Sequence, residues 1–573
     1  MKVPEVRTFL HRQGFFALAI IIPKEASSMK KPRLQDMTLR ERIGQTGVAR
    51  TDHVYGHKGF LEKNPFGGLW TRHQHLFESQ VNNAENKYSK GLDYRYTKVC
   101  DDWIKELNSE LKIPILAAID AETGAAGAIP GCSRMPTAAA LGAAHSEQLA
   151  YDLGYNVATE ALAGGANWIW GPVADNACMF SGISLNRTPS CDMELSARLL
   201  KAEIAGMQKA GVAATAKHFP GVDKREYRDP HFSLAYIAYT MEEWWEYQAP
   251  LFQALIDAGV YAVMVGHMAF PAADDTVING EMLPATLSYP IITEILKEKM
   301  GFQGVVVTDA VEMRGLNAIY QGKQLYVELL KAGNDMILGP NDPDYIDMLE
   351  EAVLAGELPE ERINDACQRV LDMKEKLGLF DEDYTAGGGV TLEMLARSAN
   401  TNRQIAREGI SILCDKGGLL PLSEEKVKKV MISYVGYSEE AYESLQYMVD
   451  AFAAHGAVAD VRKGMDGHIR HYAEEYDLIV YTAFIGPHSP FGYPYFVQDM
   501  MGAFNHVLTY GKEKSLGVSL GSPFLYHDFF AAMPTFLNTY GYCKELLEEL
   551  VNGLYGAFPF NTELPYPIRP EMN

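Results

Sequence analysis

The chain lacks the signatures of several large functional classes. Its 573 residues hold only 7 cysteines, at 100, 132, 178, 191, 367, 414 and 543, with no Cys-x-x-Cys pair. An odd, scattered set of this kind is neither a disulfide framework nor a zinc site, and it fits a reducing compartment. Positive charge is short as well: 51 lysines and arginines stand against 74 acidic residues, a net charge of −23. Nucleic acid and anionic membrane surfaces both need clustered cations, so neither is expected as a partner. No run reaches the ~18–20 uninterrupted apolar residues of a membrane span. No Gly-x-Gly-x-x-Gly opens a helix after a strand, and His-Glu-x-x-His is missing. Phosphate-cradling and metal-dependent chemistry thereby lose two of their usual marks, and neither a metal nor a cofactor is expected.

What is present is ordinary globular composition, 47% hydrophobic and 22% charged, at a length that exceeds one core. Arg12 precedes the apolar run 15–22, which has the size of a signal-peptide core but no small-residue cleavage site. Residues 1–28 are read as an extension outside the fold with a cytoplasmic location; export through a signal peptide is the alternative. From residue 65 to 340 short apolar runs (66–70, 113–120, 168–175, 212–219, 262–270, 304–309 and 335–338) alternate with helix-like stretches such as 146–163, 193–210, 241–258 and 289–300. Repeated strand–helix alternation over this length is the pattern of a (β/α)8 TIM-type barrel, with an open doubly wound sheet as the rival. Helices at 344–355 and 359–377 close the unit, and the glycine-rich stretch 378–390 reads as a flexible linker. The expected organisation is therefore α/β: a barrel over 29–378, a linker over 379–398, and a C-terminal α/β sandwich domain over 399–573.

Five of the apolar runs end in polar groups: Asp120, Asp175, Lys217 with His218, His267, and Asp309. Ionised groups avoid strand interiors, so these residues belong at the strands' C-terminal ends, where barrel enzymes place their chemistry. For Asp309 a helix N-cap role is an equal reading on pattern alone. Together the groups make a polar rim of the kind that binds uncharged sugars. Asp229-Pro230-His231 follows Lys217-His218-Phe219-Pro220-Gly221 closely and adds a carboxylate and another imidazole.

These strings resemble glycoside hydrolase family 3, in particular its β-N-acetylglucosaminidase branch. The similarity is carried by Lys217 to Gly221, by Pro284-Ala285-Thr286-Leu287-Ser288, by Gly301 through Ala310, and by Ala332-Gly333-Asn334-Asp335-Met336. Gly378-Leu379-Phe380-Asp381 and, near the C-terminus, Gly521-Ser522-Pro523-Phe524 and Leu554-Tyr555-Gly556 are similar to later signatures. The resemblance implies a retaining exo-glycosidase acting on terminal β-linked N-acetylhexosamine in peptidoglycan or chitin fragments. It implies Asp309 as nucleophile, and His231 oriented by Asp229 as acid/base in place of the second carboxylate most glycosidases use. It also implies Asp120, Arg187, Lys217 and His218 as groups for ring hydroxyls; His267 joins them from its strand-end position. The partner is then a small-molecule carbohydrate. A β-glucosidase, a β-xylosidase or a phosphorylase of the same family, and a non-catalytic sugar-binding protein, are the other readings.

The sequence departs from the family pattern in three places. Pro230 stands where the acid/base loop has serine, and the loop reads Val222-Asp223 for His-Gly and is one residue longer. Asp120-Ala121-Glu122-Thr123-Gly124-Ala125 lacks the arginine of the usual Asp-x-Glu-Gly-Gly-Arg. The expectation is a binding floor at Lys217 and His218, a mobile arm carrying Asp229 and His231, and a nucleophile on a separate strand.

Overall fold

The computed structural model describes residues 30–566 apart from 56, 58, 73–93, 176–182, 184–185, 227, 382–383, 385–386, 464–468, 487–510 and 527–532. The expected extension 1–28 lies outside the described residues.

Two parallel sheets, one of five strands and one of three, form the centre of the first unit, with a small antiparallel hairpin (Val277–Ile278 and Glu281–Met282) beside them. The larger contains β1 (Gly47–Arg50), β2 (Gly68–Trp70), β3 (Leu116–Ile119), β4 (Trp168–Ile169) and, flanking β1, the late strand Ile337–Leu338. The smaller contains β5 (Thr215–Phe219), β6 (Ala262–Val265) and β7 (Val305–Thr308), and Ile337–Leu338 is β8. Parallel bridges Trp168↔Ala213 and Val173↔Lys217 join one flank of the two sheets, and Val307↔Met336 joins the other. One buried cluster draws Val48, Trp70, Ala118, Trp168, Met264 and Val307 together. The sheet is therefore curled around an apolar interior, as parallel strands buried on both faces require.

Helices alternate with these strands and cover their outer side. Helix α1 (Thr97–Glu110) precedes β3, α2 (Glu147–Ala163) precedes β4 and α3 (Met193–Lys209) precedes β5. Ser146 and Asp192 begin the last two, each accepting backbone N–H bonds from the first turn. Helices α2 and α3 touch backbone to backbone: a Cβ on Gly154 would lie 2.2 Å from the Glu203 carbonyl oxygen, and one on Gly206 2.2 Å from that of Tyr151. The single helix expected over 241–258 is split at Gln248 into Met241–Tyr247 and Ala249–Asp257, because Pro250 has no N–H to continue the ladder.

Helices α4 (Glu360–Lys376) and α5 (Leu392–Gly409) lead to a second unit. Its strands β9 (Ser411–Asp415), β10 (Lys429–Gly436), β11 (Val458–Lys463), β12 (Leu478–Phe484), β13 (Ser515–Ser519) and β14 (Thr535–Asn538) form one sheet in the order β9-β14-β13-β12-β10-β11. All neighbours are parallel except β9 and β14. Apolar clusters lie on both of its faces. The stretch expected as a flexible linker is, in its described part, bonded to α1 and α2. Gly388 N donates to Asp101 (2.8 Å), Val390 N to Thr97 (2.7 Å) and Gly389 N to the Ala163 carbonyl (3.0 Å). Helix α5 then bridges the units, with Thr401 accepting from Asn156 (3.0 Å) and Arg397 donating to it (2.6 Å). Among the described residues no helix is long and apolar enough to cross a membrane.

Candidate active site

The C-terminal ends of β3 to β7 converge, and the residues expected at the rim meet there. Lys217 is buried in β5, and its ammonium donates to Asp120 (3.1 Å) and lies 2.7 Å from Glu122. Glu122 is also gripped by Arg187 in a fork, Nε at 2.7 Å and the second nitrogen at 2.8 Å. Burial alone would push the Glu122 carboxyl up, but the two cations outweigh it and hold it well below the usual carboxylate range. Burial likewise works against the charge on Lys217, and Glu122 and Asp120 more than restore it. The cluster thus sets two cations against two carboxylates, with the Asp120 side chain 52% exposed as its open edge.

Adjacent strand residues normally face opposite ways. Here the β5–β6 register shifts between Lys217 and Phe219, the Lys217–His218 peptide bond is cis, and both side chains serve the same pocket. Asp175 holds His218 twice, accepting from its backbone N (3.1 Å) and lying 2.8 Å from Nδ1. A carboxylate accepts, so Nδ1 carries a proton, and Nε2 lies toward Asp309, 3.9 Å from its Oδ2.

Asp309 follows β7 directly. Its backbone N donates to the Val265 carbonyl (2.9 Å), and its Oδ1 accepts from Ala310 N (2.8 Å). Burial would raise the Asp309 pKa, but His218, then His267 and His231, oppose it and leave the carboxyl below its ordinary value. His267 itself is fully buried, with Nδ1 2.9 Å from the Thr286 hydroxyl and Nε2 3.0 Å from the Ala310 carbonyl. Both ring nitrogens are bonded within the protein, and burial pushes the ring toward its neutral form. His267 thus sits behind Asp309, bracing the turn that carries it, and does not face the opening with Lys217 and Asp120.

The segment carrying Asp229 and His231 is braced, in contrast to the mobile arm expected. Buried Asp223 accepts from Arg225 N (2.8 Å), from the Arg225 guanidinium (3.0 Å) and, across the loop, from Ala238 N (2.7 Å). Buried Glu226 repeats the device with Arg228 N (2.8 Å), its guanidinium (2.9 Å) and Tyr236 N (2.8 Å). The guanidiniums lie over Tyr239 and Tyr236, at 4.9 and 5.1 Å. Between these staples, Asp229 Oδ1 accepts from His231 N (2.9 Å) and lies 2.6 Å from His231 Nδ1. The turn closes through the N–H of residue 231, so the N–H that Pro230 lacks is not needed. His231 keeps a third of its side chain exposed.

The sequence placed Asp175 at the rim without a role of its own and left Glu122 unassigned. Asp175 ends its apolar run as Asp120 does, and Glu122 stands two residues beyond Asp120; pairing with Arg187 and His218 is visible only in three dimensions. Among the described residues no group of His, Cys, Asp and Glu side chains is arranged to hold a metal ion.

The model of the glycosyl hydrolase family 3 N-terminal domain matches residues 38–373. The chain belongs to glycosyl hydrolase family 3. A β-N-acetylglucosaminidase/β-glucosidase of Cellulomonas fimi is 27% identical to this family 3 chain over 497 residues, 81% of it and 85% of the relative. A β-hexosaminidase of Hydrogenovibrio crunogenus is 32% identical over 236 residues, 40% of this chain and 64% of its own length. Among solved structures, a β-glucoside phosphorylase superposes with a TM-score of 0.78 at 24% identity, covering 93% of this chain and 94% of that one. A family 3 β-N-acetylglucosaminidase from Paenibacillus sp. str. FPU-7 gives 0.77 at 24% identity, covering 93% and 99%. At that identity the structural likeness speaks for the fold alone. This family 3 glycoside hydrolase has no arginine in its 120–125 stretch. The next arginine along, Arg134, turns away to Glu440 of the second unit and lies over the Tyr542 ring, 5.2 Å from its centroid.

Proposed function

We propose that this glycoside hydrolase is a retaining exo-glycosidase that releases terminal β-linked N-acetylhexosamine from peptidoglycan or chitin fragments. The observation that carries the reading is the Asp229–His231 pair, held at 2.6 Å on a braced loop whose imidazole contributes to the field on Asp309. In this reading the eight strands close into a (β/α)8 barrel over 29–378, which the bridges at both flanks and the shared interior cluster support. A linker and an α/β sandwich over 399–573 follow it.

Asp309, ionised at neutral pH, attacks the anomeric carbon and forms a glycosyl ester. His231 Nε2–H protonates the departing glycosidic oxygen, and Asp229 stabilises the imidazolium at Nδ1. The neutral imidazole then takes a proton from the incoming water, which hydrolyses the ester. Asp120, Lys217 and the Glu122–Arg187 pair bind ring hydroxyls, and His218 lies beside the nucleophile. Because an imidazole does not repel an anion, phosphate is an acceptor to be tested beside water.

The test is turnover of aryl β-N-acetylglucosaminide and β-glucoside, with and without phosphate, by wild type, Asp309→Ala and His231→Ala. The reading expects preference for the acetamido sugar and loss in both variants. A preference for the glucoside moves the specificity to the β-glucosidase reading. Activity surviving Asp309→Ala removes the mechanism, and no activity on any glycoside leaves a sugar-binding protein.

A further inference from the structure

We infer that the second α/β unit is a positioning clamp for the Glu122–Arg187 pair. The inference rests on the reading of that pair as sugar-binding. The pair joins two loops that follow different strands, β3 and β4, and each loop is fastened from outside the first unit.

On the Glu122 side the fastening runs through Arg134. Its guanidinium pairs with Glu440 and donates to Thr123 Oγ1 (3.4 Å), next to Glu122. The Thr123 carbonyl accepts from Met135 N (2.8 Å), and the Arg134 carbonyl accepts from Asn402 Nδ2 (3.0 Å). Tyr542 reinforces the contact, its ring under Arg134 and its hydroxyl donating to Glu440 (3.3 Å).

On the Arg187 side the fastening is the segment 561–566. Asn561 anchors it to the second sheet, accepting from Ile412 N (2.8 Å) and donating to the Ile410 carbonyl (3.0 Å). Five residues on, the Tyr566 hydroxyl donates to the Thr188 carbonyl, one residue from Arg187. The Pro565 carbonyl accepts from Ser190 Oγ (2.6 Å) and Cys191 N (3.3 Å). Tyr566 is 1% exposed with its ring packed on Phe524, so the hydroxyl is delivered from a fixed base.

A fork between guanidinium and carboxylate tolerates little displacement, and surface loops left to themselves supply too much. Holding both loops from the second unit removes that freedom. Tyr566 and Glu440 are thus positioning residues that act through Arg187 and Glu122.

A double-mutant cycle with Tyr566→Phe and Arg187→Ala tests this, with Glu440→Gln as a second arm and thermal midpoints measured throughout. Tyr566→Phe keeps the buried ring and removes one hydrogen bond. It is expected to raise KM for an aryl N-acetylglucosaminide roughly 3- to 10-fold with kcat held within about twofold, since the pair binds ground and transition states alike. In the Arg187→Ala background the same change should add nothing; equal losses in both backgrounds overturn the inference. Amide hydrogen exchange of the peptide holding residues 186–191 should rise in Tyr566→Phe with no matching rise in β12, whether or not any glycoside is turned over. Unchanged exchange overturns the clamp. An inert wild type with raised exchange instead counts against the sugar-binding reading and leaves the clamp standing.

Discussion

Replacing Asp229 with asparagine separates the acid/base pair from everything else in the pocket. Asp229 is buried, accepts from His231 N at 2.9 Å and lies 2.6 Å from Nδ1, so the isosteric amide can keep the turn while removing the charge. What disappears is a charge-assisted bond to the imidazolium that must stand ready to protonate the departing glycosidic oxygen. Hydrogen bonds to charged groups contribute about 1.5–3 kcal/mol, which corresponds to roughly a 10- to 150-fold fall in kcat/KM. The loss should depend on the leaving group. Across aryl N-acetylglucosaminides of graded phenol acidity, poor leaving groups need the proton and should show the full fall, whereas the most acidic phenols should leave nearly unaided. A loss of equal size across the series would mean that Asp229 only shapes the loop, and a change below about twofold for the worst leaving group would remove the pair from the mechanism.

Two further predictions concern stability away from the pocket. Asp335 is fully buried between Lys297 (2.7 Å) and Arg362, and its other oxygen accepts from Val306 N (2.9 Å) at the opposite end of β7 from Asp309. Asp335→Asn leaves two cations facing an amide and should cost about 3 kcal/mol in urea unfolding with kcat/KM unchanged; a cost under about 1 kcal/mol would contradict this. Lys374 is fully buried and donates to the neutral Gln45 Oε1 at 2.6 Å, and burial lowers its pKa from 10.5 to about 7. The unfolded chain keeps this proton up to its ordinary pKa while the folded one releases it near neutrality. Unfolding therefore takes up a proton within that window, and stability rises with pH through it. Lys374→Met should flatten the rise between about pH 7 and 10 and be the more stable protein at neutral pH, read from urea midpoints; parallel pH profiles for the two proteins would refute the assignment.

The strand–helix alternation and the strand-end polar groups were legible because both follow from short-range pattern. Strand β1 was not, since Gly47–Arg50 is too short and too mixed to stand out beside the longer apolar runs. The break at Gln248 was written in Pro250 and overlooked inside a strong amphipathic pattern. Glu122 and Asp175 stood in motifs already noted, but their partners lie 65 and 43 residues away in sequence. The loop of Asp229 and His231 looked mobile from its proline and extra residue. It is braced because Asp223 and Glu226 each bond two residues ahead and across the loop, which composition alone does not reveal. The expected linker is likewise pinned, through Asp101 and Thr97 on a helix nearly 300 residues earlier.

The proposal stands or falls on Asp309 forming a covalent bond to the sugar. Incubation with a slow N-acetylglucosaminyl fluoride carrying an electron-withdrawing ring fluorine, followed by intact-protein and peptide mass spectrometry, tests this directly. The expected result is stoichiometric gain of one glycosyl unit on the peptide holding residues 305–313, ester-linked at Asp309 and absent in Asp309→Ala. Turnover of the substrate with no adduct, or an adduct on another residue, would contradict it.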